Sequence, residues 1–340
     1  MLIKDHWYVA CPSSKLTDKE PLAFQVGPVK YVAFRDKNNT PHILLDRCCH
    51  RSVQLSKGRI VKGCIACGYH GWQYDGSGKL VNVPALGPDQ DTPEFSVPSF
   101  PTKEKDFYLW IWIAGESEIP TYEPGIRGLI PGQWLQQTNE WKTNVVPAVE
   151  NQLDNAHTPF AHPGYYPGHD SDHGQVPQLR PLQSEVFSTQ STVHTFGPPR
   201  ESLSEKVNDP ESPGGGFGLF QLPFINYVFL TATGTRAIYH WVPLTEGSCR
   251  LEFMATTTFP DTTSQTDINV EYMEEELTIL EQDRELLESS QFWQGSHKQR
   301  SIKQDLAPML ARRLIAAALA GDDLSEFDID KTRQVVECYF

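Results

Sequence analysis

Two short segments carry the pattern that most restricts this chain: Cys48-x-His50 and, after sixteen intervening residues, Cys67-x-x-His70. Two cysteines and two histidines drawn from two loops form a four-ligand set for a metal or a cluster. A chain that carries it has to fold so that the two loops meet. A zinc finger pairs cysteine with cysteine and histidine with histidine, whereas here each loop supplies one of each. A [2Fe–2S] centre with two thiolates on one iron and two neutral imidazoles on the other carries less negative charge than one with four thiolates. Its reduction potential is therefore raised, which suits it to accept electrons. Gly63, Gly68 and Gly71 are expected to let the backbone approach the sulfides.

The chain has seven cysteines, an odd number, and four of them crowd between 48 and 67. That distribution argues against a secreted disulfide scaffold and for metal binding in a reducing compartment. Cys49 and Cys64, left over by the ligand pattern, are expected to be packing residues. The N-terminus lacks a basic and then apolar signal sequence, and no apolar run reaches the ~18 residues of a membrane helix. These features predict a soluble, cytoplasmic protein. Forty-three acidic against 29 basic residues give a net charge of −14, so nucleic acid and anionic membrane surfaces are unfavourable partners. Between Asp46 and Lys79 the balance reverses: Arg47, Arg51, Lys57, Arg59, Lys62 and Lys79 face only Asp46 and Asp75. A basic patch there would dock an acidic electron donor.

Short apolar runs alternate with turn residues over the first 115 positions, as at Trp7–Ala10, Tyr31–Phe34, His42–Leu45 and Tyr108–Ile113. This is the pattern of a small all-β domain. A Pro- and Gly-rich stretch follows, so the expected organisation is a first domain over 1–118, a linker over 119–140 and a second domain over 141–340. In the second domain a helix is predicted over 147–160, stopped near Pro159. A loop-like region follows over 163–216, with Gly214–Gly216 as a flexible stretch. Strands are expected over 219–222, 226–233, 236–242 and 250–259, and helices over 266–291 and 305–319. The class is α+β.

A second constellation lies at 150–162. Asp154 and His157, at i and i+3, would share a helix face, and His162 would follow a turn broken by Pro159. Two neutral imidazoles and one carboxylate with an open face form the Fe(II) arrangement that admits O2 together with substrate. The H-E-x-x-H spacing of zinc proteases is absent. A third ligand has to come from a distance, with Glu281, Asp283, Glu285 and Glu288 as candidates. Met273, Leu277, Leu280 and Leu287 form an apolar stripe with Asp283 on its flank, but Glu276 and Arg284 fall in the same arc, so periodicity leaves the choice open.

From Asp46 to Pro84 the chain resembles the Rieske domain of the Rieske non-haem iron oxygenases. The residues that carry the likeness are Cys48, His50, Arg51, Leu55, Gly58, Cys67, Tyr69, His70, Gly71, Trp72 and Tyr74–Gly78, with Cys49 standing where that family often has proline. Asn151, Asp154, His157 and His162 resemble the same family's N-x-x-D-x-x-H-x4-H motif, and Asp283-x4-Glu288 resembles its D-x4-E segment, whose aspartate is the iron ligand. The likeness is greatest to the compact vanillate and dicamba O-demethylases and the saxitoxin-type hydroxylases.

The resemblance implies an N-terminal Rieske [2Fe–2S] domain and a C-terminal helix-grip (START-like) catalytic domain with an antiparallel sheet. It implies cluster ligation by Cys48, His50, Cys67 and His70, and a mononuclear Fe(II) held by His157, His162 and Asp283. It also implies catalytic roles for Asp154 and Asn151, with O2 as co-substrate. Electrons from NAD(P)H would arrive through a ferredoxin or a flavin reductase. They would cross between neighbouring subunits of a homotrimer, Asp154 bridging His157 of its own chain and His70 of the next. The product would be a hydroxylated or demethylated small organic molecule. Cis-dihydroxylation is the alternative within the family, and a Rieske electron carrier without catalytic iron is the alternative outside it. Pocket walls are expected from 165–250, with Asn226, Arg236 and His240 as polar contacts among the aromatics Phe217, Phe220, Phe224, Tyr227, Phe229, Tyr239 and Trp241.

Overall fold

The computed structural model describes residues 2–87, 90–115, 120–129, 134–162, 181–197, 217–230, 235–256, 265–290 and 300–339. These divide into two units, residues 2–130 and residues 131–340.

The first unit is built of strands, as its alternating pattern predicts. In chain order they are β1 (His6–Pro12), β2 (Leu22–Val26), β3 (Val29–Arg35), β4 (Pro41–Leu45), β5 (Arg59–Val61), β6 (Cys64–Ala66), β7 (Gln73–Tyr74), β8 (Leu80–Asn82), β9 (Ser99–Phe100), β10 (Thr102–Lys105) and β11 (Tyr108–Ile113). They form three antiparallel sheets in the orders β1-β11-β10, β2-β3-β4-β9 and β5-β6-β7-β8. Strand β11 reads YLWIWI and is buried at every position, the signature of a central strand covered on both faces. Arg35 and Glu104 form a bidentate pair at 2.9 and 2.6 Å that ties β3 to β10. The β5–β6 hairpin closes on Lys62 and Gly63, with φ of 52° and 80°. Two central residues with positive φ match the twist of the flanking strands. Gly63 therefore serves this turn rather than a cluster.

The second unit carries an eight-stranded antiparallel sheet. Its strands are β12 (Leu135–Trp141), β13 (Pro181–Ser188), β14 (Thr192–Phe196), β15 (Phe217–Gln221), β16 (Ile225–Leu230), β17 (Thr235–Thr245), β18 (Ser248–Thr256) and β19 (Gln334–Tyr339), in the order β12-β18-β17-β16-β15-β14-β13-β19. Helices α1 (Val145–Asn151), α2 (Thr158–Ala161), α3 (Gln265–Ser289), α4 (Leu306–Ala320) and α5 (Ile329–Thr332) accompany it. The long α3 packs on β12, α1 and α2, so the sheet grips a helix, as expected.

Several segments differ from the sequence expectation. The latter part of the segment read as a linker is β12, an edge strand whose polar, half-buried LQQTNEW lacks alternation. Strands β13 and β14 lie inside the region read as loop. Their Ser184, Glu185, Ser188, Thr192, His194 and Thr195 are buried, so polarity misleads there. Partners satisfy the buried groups: Arg333 pairs with Glu185, Thr332 Oγ1 meets Ser188 at 2.8 Å and Thr192 Oγ1 meets His194 Nε2 at 2.7 Å. Residues 163–180 and 198–216, including Gly214–Gly216, lie outside the described residues, as do the side chains of Phe217 and Met273. No helix among the described residues is long and apolar enough to cross a membrane.

The helix expected over 147–160 is two helices. Asn144 caps α1, its Oδ1 accepting from Val146 N at 2.9 Å. Past Asn151 the chain turns at Asp154, whose Oδ1 accepts from Ala156 N at 2.9 Å. This aspartate turn places His157 at the cap of α2. Pro159 opens α2 instead of ending the longer helix, since the first turn needs no amide donor.

Candidate functional site

In the first unit, two loops of the same design present the cysteines and histidines. Cys48 N donates to Val53 O at 2.8 Å and accepts, through its carbonyl, Ser52 N at 2.9 Å; Cys67 repeats this with Trp72 O at 2.8 Å and Gly71 N at 3.0 Å. The residue four past each cysteine takes a positive φ, 58° at Ser52 and 73° at Gly71. Each loop therefore folds back on its own cysteine and throws a histidine outward from the same turn. Asp46 fixes the base of the first loop, accepting from Ser56 N at 2.7 Å, Ser56 Oγ at 2.7 Å and Gln54 Nε2 at 3.0 Å. A side chain at Gly58 would meet Ala66 O at 1.9 Å, so only glycine lets the two loops approach.

Cys48 and Cys67 sit in the apolar core with Phe34, Leu55, Ile65 and Tyr74, while His50 is half-buried and His70 exposed. The imidazole rings are 4.6 Å apart, and His50 stacks on Trp72 at 4.4 Å. Burial pushes the Cys67 thiol up, backbone amides of Tyr69 and His70 pull it down, and the neighbouring Cys48 pushes it up again. The His50 pKa is lowered by burial and by facing His70 and Arg51. Its Nδ1 is buried with no hydrogen-bond partner. Two adjacent core sulfurs, amides aimed at sulfur and an orphaned imidazole nitrogen fit an iron–sulfur cluster.

In the second unit, His157, His162 and Asp283 offer ligand atoms that all lie within 4.8 Å of one another. His157 and His162 bracket α2, one at its cap and one at its end, so a single helical turn sets their separation. His157 Nδ1 donates to the backbone oxygen of Asp154, and His162 Nδ1 donates to Gln282 Oε1 at 2.9 Å. An amide oxygen only accepts, which puts the ring proton of His162 on Nδ1. Both Nε2 atoms then face Asp283 Oδ1 at 3.3 and 3.2 Å, and each other at 3.3 Å. Asn151 Nδ2 donates to the same Oδ1 at 3.1 Å. The same Nδ2 lies 3.3 Å from His157 Nε2. Two imidazole nitrogens and a carboxylate oxygen facing one another form a donor set that fits a metal. Burial lowers the His157 pKa, but the bond and charge of Asp283 outweigh it and leave it raised. Burial raises that of Asp283, and the two histidines bring it to about 2.

Among the acidic candidates on α3, Asp283 alone joins this group. Glu281 and Glu285 are exposed, Glu281 pairs with Arg284, and Glu288 Oε1 accepts from Lys142 N at 2.9 Å. Asp154 does not share a helix face with His157. It lies in the turn between helices, and its backbone oxygen rather than its carboxylate meets the ring. Gln282 carries no signal in the sequence; only the fold turns it to His162. Asn226 is wholly buried and committed to structure, donating to Val149 O at 3.2 Å and accepting from Trp241 Nε1 at 3.1 Å. It is not available to a substrate. Burial brings His240 down to about 3, and the Arg236 guanidinium stacks 4.7 Å over Phe229. Phe220, Phe224, Tyr227, Phe229, Tyr239 and Trp241 are core residues.

Residues 6–101 match the family model of the Rieske [2Fe-2S] domain, and residues 141–321 match that of the vanillate O-demethylase oxygenase C-terminal domain. The chain is similar to the chloroplastic protein TIC 55 of Pisum sativum, 33% identical over 165 residues, covering 46% of this chain and 29% of that protein. It is also similar to the oxygenase component of dicamba O-demethylase from Stenotrophomonas maltophilia, 24% identical over 283 residues, covering 76% and 79%. The chain spans less than half the length of the first curated relatives it matches. Among solved structures, Pseudomonas putida CBB5 NdmA superimposes with a TM-score of 0.72 at 19% identity, covering 98% of this chain and 96% of that one.

Proposed function

Because this chain belongs to the Rieske oxygenases, as an alpha subunit with the C-terminal domain of the vanillate O-demethylase type, we propose that it is the terminal oxygenase of a system that uses O2 and electrons from NAD(P)H. Its substrate is a small hydrophobic or aromatic molecule, which it hydroxylates or oxidatively demethylates. The observation that carries this reading is the convergence of His157, His162 and Asp283 on one point, in a chain that also has Cys48 and Cys67 in one core and the His50 and His70 rings 4.6 Å apart. The name of the dicamba relative favours demethylation.

His157 Nε2, His162 Nε2 and Asp283 Oδ1 would hold ferrous iron, and Cys48, His50, Cys67 and His70 would hold the [2Fe–2S] cluster. When bound, the mononuclear iron activates O2 and the cluster supplies electrons one at a time. Asn151 keeps the Asp283 carboxylate aimed at the histidines. Gln282 and the Asp154 carbonyl keep the ring protons on Nδ1, so that Nε2 faces the metal. Asp154 Oδ1 is engaged by Ala156 N. Its second oxygen would accept from His70 of the next copy in a homotrimer, a closed ring with one heterologous interface. The reading includes a reducing, cytoplasmic location, in which these iron centres and free thiols would persist.

Arg47, Arg51, Lys57, Arg59, Lys62 and Lys79 are all exposed and would dock an acidic ferredoxin or flavin reductase. Raising ionic strength from about 0.01 to about 0.15 M shortens the screening length from ~30 to ~8 Å, so the rate of reduction by the donor is expected to fall about tenfold or more. A stopped-flow rate independent of salt would contradict the patch.

Single turnover tests the function. Protein reduced without O2, mixed with methylated or unsubstituted aromatic acids and then exposed to O2, is expected to give a hydroxylated or demethylated product. Oxidation of the reduced cluster without product across such a panel would contradict it.

A further inference from the structure

Cys49 takes no part in the function proposed above. Tyr74 is completely buried among the residues behind the cluster loops. Its hydroxyl lies 3.1 Å from Cys48 Sγ and 3.2 Å from Cys49 Sγ. A phenol has one proton to give. Cys48 as a thiolate ligand only accepts, and a hydrogen bond to an ionised acceptor is the stronger one, so that proton goes to Cys48. The hydroxyl oxygen is then left to accept from Cys49, whose thiol is a weak donor.

We propose that Cys49 is the outer donor of a two-bond relay, Cys49 S–H to Tyr74 O and Tyr74 O–H to Cys48 S, that raises the reduction potential of the cluster. The inference rests on the cluster assignment above. Reduction adds negative charge to the ligand sulfurs, and a donor aimed at Cys48 stabilises the reduced state. A hydrogen bond made to the donor's own oxygen polarises the O–H and strengthens the inner bond by roughly 10–30%. Cys49 can act this way at little structural cost. It is exposed, and the backbone bonds that close the loop belong to Cys48, Ser52 and Val53. A proline at this position could not supply the donor.

The test is the midpoint potential of the cluster in the full chain, titrated by the electron paramagnetic resonance signal of its reduced form. Tyr74→Phe is expected to lower the reduction equilibrium about tenfold, about 59 mV for a one-electron couple, and Cys49→Ala about twofold, about 18 mV. Cys49→Ser, which keeps a donor, is expected to stay near the parent value. Added to Tyr74→Phe, Cys49→Ala is expected to shift nothing more. An unshifted Cys49→Ala would overturn the relay, as would serine behaving like alanine or an equal shift without the Tyr74 hydroxyl. Absence of the signal from the parent chain would overturn the cluster assignment and the relay with it, whereas an intact signal with an unshifted variant overturns the relay alone.

Discussion

Replacing Asp283 by alanine is expected to remove the mononuclear iron and all turnover while leaving the visible absorption of the cluster intact. Asp283 is 3% exposed, and its Oδ1 meets both histidine Nε2 atoms, at 3.3 and 3.2 Å. Two imidazoles alone supply neither the third ligand nor the negative charge that offsets a divalent ion. Asp283→Asn is the sharper variant. It keeps the volume and an oxygen for Asn151 Nδ2, but it loses the charge. A loss of iron affinity of about a hundredfold or more is expected from it, beyond the 10–100-fold typical of groups that only orient a ligand. Full iron content in Asp283→Ala would move the ligand to another acid on α3, against the exposure of Glu281 and Glu285 and the engagement of Glu288 with Lys142.

The second large effect is expected from Cys67→Ala. The sulfur is in the core beside Cys48, with two amides directed at it. Its loss leaves the cluster one ligand short and the two loops without their shared anchor, so acid-labile sulfide and the cluster's colour are expected to vanish. The His157, His162 and Asp283 group is built wholly within the second unit. That unit is therefore expected to keep about one iron per chain. Because the first unit loses stability with its cluster, Cys67→Ser is the companion variant, preserving volume while weakening ligation. Sulfide at parent levels in both variants would contradict the assignment of Cys67.

The cluster loops were the most legible part of the sequence, because a metal centre demands fixed residue types at fixed spacing. The strands of the first unit were equally plain, since β1, β3, β4 and β11 are continuous apolar runs between turns. The acid on α3 was not legible from periodicity. Acids at 276, 281, 283, 285 and 288 dot the helix, and only packing against α2 singles out Asp283. The likeness of Asp283-x4-Glu288 to a family segment named it instead. Strands β12, β13 and β14 escaped because a sheet edge and a hydrogen-bonded polar interior both erase the apolar alternation that marks a strand. The break between α1 and α2 escaped because an aspartate turn does the work there, with no glycine or proline between 152 and 157 to mark it. Gly63, read as a cluster residue, belongs to the β5–β6 turn.

The proposed function requires one chain to hold both an iron–sulfur cluster and a separate catalytic iron. Metal and sulfide analysis of anaerobically purified protein tests it most directly. About three irons and about two acid-labile sulfides per chain are expected, from a [2Fe–2S] cluster and one mononuclear iron. About two irons and two sulfides, with no further iron taken up on reconstitution, would contradict the catalytic site and leave an electron carrier. Zinc without sulfide would contradict both centres.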